Sequence, residues 1–197
     1  MSEVVGIDPG SRESGVVVVS AENAKILFFG KLKNPDVLAT CRLYCGDMAE
    51  WVIEMPMSFG MPVGRDIFQT LVWVGRFAQS LDSVGVSLRY LGRKQVVASL
   101  CGDPKASDSN VRRAVLDSYP GHGGGSEPSV GVKKQPGPLF GISGDMFSAV
   151  ALCLTGLRKG VHTLPDVNSY CGQTASTAAE GVLSEIREEF ASGNIFE

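Results

Sequence analysis

The chain has 197 residues, 44% hydrophobic and 20% charged, a length and composition that suit one globular domain with a sizeable core. No apolar run reaches the roughly 18 residues needed to cross a bilayer, and MSEVVGIDPG lacks the basic start and apolar stretch of a signal peptide, so a cytosolic protein is expected. The net charge of −3 is uneven: from Val161 onward six acids and one base, Arg187, give −5, whereas residues 1–160 carry +2, a balance permissive for nucleic acid.

In chain order, EVVGIDPG is a short apolar run ending in Asp-Pro-Gly, a strand and a turn. SGVVVVS and KILFFGKLK read as two further strands of a meander. Val37, Leu38, Cys41 and Cys45 then recur at helical spacing between Pro35 and Gly46, and AEWVIEMP is a strand stopped by Pro56. After the loop SFGMPVG, the residues Ile67, Leu71, Val74, Ala78 and Leu81 mark one face of an amphipathic helix. VSLRYL is a fifth strand. Two helical pieces follow, around Lys94–Leu100 and Ser109–Ser118, joined by CGDPKASD. Pro120 to Gly141 holds seven glycines and four prolines, the composition of a mobile loop. GDMFSAVALCLTGLRKG is a buried helix ending in basic residues and glycine, and the acidic tail carries one more helical pattern, Thr177–Phe190.

Meander strands followed by helix-separated strands predict an α/β fold, a mixed five-stranded sheet with helices on both faces. Residues 1–160 make one domain and 161–197 an acidic C-terminal tail, partly helical. The five cysteines, Cys41, Cys45, Cys101, Cys153 and Cys171, are odd in number and show no CxxC spacing, so neither a disulfide framework nor a zinc site is expected. Cys41 and Cys45 fall on one face of their helix.

Three acids stand where folding alone does not favour them. Asp8 ends the run Val4-Val5-Gly6-Ile7, Glu54 ends Trp51-Val52-Ile53, and Asp145 opens an otherwise apolar helix. Singly, each has a plain explanation: a turn residue, an exposed strand end, a carboxylate favoured by the helix dipole. Together they point further, because ionised carboxylates in such places are paired or bind a cation. A carboxylate cluster suits Mg²⁺ or Mn²⁺, and two such ions about 3.5–4 Å apart serve phosphodiester hydrolysis. Neither histidine is placed for this work, His122 lying in the glycine-rich loop and His162 in the tail.

The segments carrying these acids resemble the RuvC-type Holliday-junction resolvases. GIDPGSRESGVVVV is similar to the opening of that family, VIEMP to the strand with its Glu, and GISGDMFSAVALCL to the helix with its last acidic ligands. MPVGRDIFQTLVWVGRF and LCGDPKASDSNVRRAVLDSYPG are similar to segments of phage-encoded relatives, so the likeness spans about residues 3–160. It implies an RNase H-like fold, a homodimer, and divalent-metal cleavage of branched double-stranded DNA, with Asp8, Glu54 and Asp145 catalytic. Two departures stand out. The family has two metal-binding positions three apart on the last helix, and here Asp145 is followed by Ser148, which can give only a neutral oxygen contact. The family's helpful lysine has Lys105 as its nearest candidate, displaced by two or three residues.

Arg93, Lys94, Lys105, Arg112 and Arg113 fall within 21 positions and can track phosphates, or form a solvated helix face. Lys133 and Lys134 can reach a DNA arm. Phe59 and Met61, just past Glu54, can wedge into a branch point or fill a loop contact. The leading reading is a resolvase of four-way junctions. The alternatives are a less selective nuclease of flaps, forks or RNA–DNA hybrids, and a DNA-binding relative without catalysis. GIDPG also opens actin-like and chaperone ATPases, but those need two related lobes and a much longer chain.

Overall fold

The computed structural model describes residues 3–43, 49–58, 62–144 and 146–158. The elements are β1 (Glu3–Asp8), β2 (Glu13–Ser20), β3 (Ile26–Lys33), α1 (Asn34–Leu43), β4 (Ala49–Met55), α2 (Arg65–Asp82), β5 (Leu88–Gly92), α3 (Arg93–Cys101), α4 (Asp108–Asp117), the short pair β6 (Gly131–Val132) and β7 (Gln135–Pro136), and α5 (Met146–Gly156), in the predicted order apart from β6 and β7, which the sequence did not suggest. The main sheet has the strand order β3-β2-β1-β4-β5. β2 pairs antiparallel with β1 and with β3, while β4 is parallel to both β1 and β5. This is the expected mixed five-stranded sheet. Tight turns suffice between the first three strands, and the parallel pairs need the helical crossovers α1 and α2.

Strand alternation sorts the core into two layers. Val5 and Ile7 of β1, with Trp51 and Ile53 of β4, pack under α1 (Val37, Leu38, Cys41) and α2 (Val74, Phe77, Ala78, Leu81). Val4, Val17, Val52 and Leu91 face the other way, under α3, α4 and α5. α5 is buried along nearly its whole length, which explains why it is apolar all round rather than amphipathic. It lies directly on β1 at Gly6. A Cβ built on Gly6 would stand 2.6 Å from the Ala149 carbonyl oxygen and 2.7 Å from the Cys153 Sγ. Replacing Gly6 by Ala is therefore expected to cost about 2–3 kcal/mol, because the main obstacle is helix backbone that cannot rotate away. Urea unfolding checks this, and a loss below about 0.5 kcal/mol would mean that α5 can retreat from the sheet.

Two findings differ from the sequence reading. The stretch expected to be a mobile loop is folded. Gly123 donates to the Pro128 carbonyl at 2.8 Å, Gly124 to Gln135 at 2.9 Å, and Leu139 to Ser129 at 2.9 Å, and Leu139 is fully buried. Its glycines allow backbones to touch: a Cβ on Gly123 would meet Gly131 Cα at 2.6 Å and Gly137 N at 2.7 Å. Composition signals irregular backbone, and irregular backbone can still be closely packed. Secondly, the apolar stripe of α2 outruns the core. Val74, Phe77, Ala78 and Leu81 are buried, but Ile67 and Leu71 remain 37% exposed beside Phe68 at 58% and Val72 at 62%.

Cys41 and Cys153 are buried and free, and Cys101 is free and half-buried. Cys45, Cys171, His162 and the predicted tail helix lie outside the described residues, as do Phe59, Met61 and Asp145. Among the described residues no helix is long and apolar enough to cross a membrane.

Candidate carboxylate metal site

The parallel pairing of β1 and β4 sets Ile7 opposite Ile53, so the next residues along, Asp8 and Glu54, end neighbouring strands side by side. Both share the α5 side of the sheet with the residues two before them, Gly6 and Val52, which face α5 and its layer. The turn after Asp8 is held from below. Ser14 donates its hydroxyl to the Asn34 Oδ1 at 2.7 Å, and Asn34 Nδ2 donates to the Gly10 carbonyl at 2.9 Å. Asn34 is fully buried and Ser14 nearly so, and such a satisfied buried pair fixes the exit of β1.

Glu54 has a side chain only 16% exposed. Burial, and then the charge of Asp8, push its carboxyl up to about 7, with Arg93 pulling the other way and Asp108 adding to the rise. Two carboxylates placed this close repel each other when both are ionised, and a divalent cation removes the conflict. The donors are all hard oxygens, the set that suits Mg²⁺ or Mn²⁺ rather than a thiolate-seeking metal. Among the described residues no group of three or more Asp, Glu, His or Cys is gathered. Asp145, the third acid of the sequence reading, is outside them and immediately precedes α5 in the sequence.

A cation paired with Glu54 is Arg93, the first residue of α3. β5 delivers it there, since Leu91 pairs with Glu54 and Gly92 with Met55. The Arg93 Nη1 lies 4.0 Å from Glu54 Oε2 and 3.5 Å from the Ser148 Oγ, and Nη2 donates to Asp108 Oδ1 at 2.5 Å. The structure thus joins four residues of the sequence reading, Asp8, Glu54, Arg93 and Ser148, at one edge. It adds Asp108, which the sequence reading passed over because an acid at the start of a helix looks like an ordinary dipole partner. Asn34 was missed for a similar reason: nothing local shows that a polar residue before Pro35 is buried.

The other basic residues are more dispersed. Arg112 makes a two-pronged pair with Glu127, at 2.7 and 2.6 Å, and stacks 5.0 Å from the Phe147 ring centre. Arg113 pairs with Asp117 one turn on, at 3.0 Å. Lys94 and Lys105 are exposed, the latter in the turn before α4, and Lys133 and Lys134 are exposed at the tip of the β6–β7 hairpin. An open groove of about 370 Å³ beside Arg93 is lined by Arg93, Asp108, Arg112, Phe147 and Ser148.

This sheet order, with α5 crossing β1 and acids at the ends of β1 and β4, defines an RNase H-like fold. Two structures of Thermus thermophilus RuvC are similar to it. One matches with a TM-score of 0.58 and 19% identity, over 82% of this chain and 99% of that one. The other, RuvC in complex with Holliday junction substrate, matches with a TM-score of 0.57 and 20% identity, over 79% of this chain and 92% of that one. No family profile and no curated protein sequence matches the chain.

Proposed function

We propose that this chain is a divalent-metal-dependent, structure-selective endonuclease that cleaves four-way junctions and other branched DNA. The observation that carries this reading is the Asp8–Glu54 pair at adjacent strand ends. A fold shared with a structure of RuvC holding a Holliday junction supports it. In this reading Asp8, Glu54 and Asp145 hold Mg²⁺ or Mn²⁺, and Ser148 contributes at most a neutral oxygen. Such an ion, when bound, lowers the pKa of water and offsets the charge that builds on the phosphate oxygens.

The chain's own residues do the rest. The reaction is an in-line displacement, in which water attacks phosphorus and the 3′ oxygen leaves. Arg93 faces the same edge with a charge that does not titrate in the working range, and can donate to a non-bridging phosphate oxygen. Lys94, Arg112, Arg113, Lys133 and Lys134 contact DNA backbone, which positions the duplex arms without reading bases. Lys105 is the auxiliary catalytic cation, and Phe59 with Met61 wedges at the branch point.

A four-way junction has two equivalent strands to cut, so a two-fold dimer with two sites matches it. The unburied apolar face of α2, Ile67, Phe68, Leu71 and Val72, is the surface assigned to the second copy. Phe68→Glu with Val72→Glu is expected to leave a folded monomer that nicks but no longer makes paired cuts. Light scattering and product mapping check this, and a dimer surviving both changes would exclude α2 as the interface.

The direct test of function is cleavage of a labelled four-way junction in Mg²⁺ and then Mn²⁺, beside linear duplex and a fork of the same sequence. Paired symmetric nicks on the junction are expected. Equal cutting of every substrate would indicate the less selective nuclease, and tight binding without cutting in either metal would indicate a non-catalytic relative.

A further inference from the structure

Glu54 stands between two charges of opposite sign. In the strand order β1-β4-β5 it has Asp8 on one side and, from the β5 side, Arg93. The guanidinium is held at three points: Glu54 at 4.0 Å, the Ser148 hydroxyl at 3.5 Å, and Asp108 at 2.5 Å. Its side chain is 32% exposed, so it sits within the site rather than in bulk solvent. On α5 the residue that meets it is a neutral serine. We infer that Arg93 is a built-in cation filling the Ser148 side of the carboxylate edge, so that the site takes one divalent ion instead of two. This rests on the metal-dependent reading proposed above.

Charge and room both oppose a second ion. Phosphodiester cleavage of the two-ion type needs two cationic centres about 3.5–4 Å apart. Here a permanently charged, planar donor already occupies the β5 side of Glu54, and like charges held a few ångströms apart in a partly buried site oppose each other strongly. A second ion on the Ser148 side would also need an anionic ligand there, and the Ser148 hydroxyl carries no charge. An acid at 148 would be captured by Arg93 as a salt bridge. The serine instead takes a single weak hydrogen bond and leaves the guanidinium able to donate to a phosphate oxygen, while Asp108 anchors the group from the solvent side, where it is 89% exposed. Arg93 and Ser148 thus form one device: the serine is the complement of the arginine and not simply a lost ligand.

The test counts ions. Manganese bound per chain is measured by calorimetric titration and by electron paramagnetic resonance, which distinguishes an isolated ion from a coupled pair. The proteins compared are the natural chain, Ser148→Asp, and Ser148→Asp combined with Arg93→Met, each checked for folding by circular dichroism. One isolated ion is expected in the natural chain and in Ser148→Asp, and two coupled ions in the double variant. Two ions in the natural chain would overturn this inference and leave the nuclease reading standing, and this arm needs no variant to fold. A single ion in a folded double variant would also overturn it. No bound manganese in any of the three would overturn the metal-dependent reading as well.

Discussion

Asp8→Asn is expected to lower junction cleavage by at least about 10³-fold while junction binding survives. Asn keeps the shape of the side chain at the end of β1 and removes the charge. The turn below it is held by Gly10, Ser14 and Asn34 through hydrogen bonds among themselves. The fold should therefore persist, and DNA affinity without metal should be equal or slightly higher, since one negative charge beside the phosphate path is gone. Gel-shift titration without divalent ion and single-turnover cleavage in Mg²⁺ separate the two effects. Full activity in Asp8→Asn would sink the catalytic assignment. Loss of binding together with loss of the circular dichroism signal would show a structural residue instead.

The second large effect concerns stability. Glu54 has a carboxyl pushed up to about 7 from the ordinary 4.5, chiefly by burial and then by Asp8. In the unfolded chain it ionises near 4.5, so between these values the folded state binds the extra proton. Stability from this group is complete below about 4.5 and is lost as pH rises through about 7. The gap corresponds to about 3 kcal/mol by pH 8 in the metal-free protein. Glu54→Gln removes the group that titrates. It is expected to unfold at higher denaturant than the natural chain at pH 8 in EDTA, with the difference shrinking towards pH 5. Mg²⁺ should reverse the order, stabilising the natural chain and not the variant. Metal affinity should also rise with pH up to about 7, because a proton on Glu54 competes with the ion. Identical pH slopes for the two proteins would mean that Glu54 is well solvated and not part of a repelling pair.

The strand ending in Asp8 was legible because Val4 to Ile7 is a short apolar run closed by Pro9-Gly10. The α2 and α5 helices were legible from their apolar pattern and length, and an order of strands and helices suffices to name a mixed sheet. Asp8, Glu54 and Asp145 could be singled out because charge at the end of an apolar run conflicts with burial. These are all properties of adjacent residues, and local sequence carries them.

Distance across the sheet is another matter. That Asp8 and Glu54 touch electrostatically follows from the register Ile7–Ile53, and register is decided by which faces can be buried together, a property of the whole core. Arg93 looked like one basic residue among several, and only the pairing of β5 with β4 turns it towards Glu54 and Ser148. The glycine-rich stretch reads as loose because its backbone hydrogen bonds follow no helical or strand period, running within the stretch to partners such as Pro128 and Gln135. The stripe on α2 shows which residues are apolar, and only the sheet's extent shows which of them it covers. Sequence alone determined the elements and the suspect acids, since both depend on short-range pattern. The tertiary structure decided the charge environment of the site, since electrostatic energy depends on distances through space that chain order does not set.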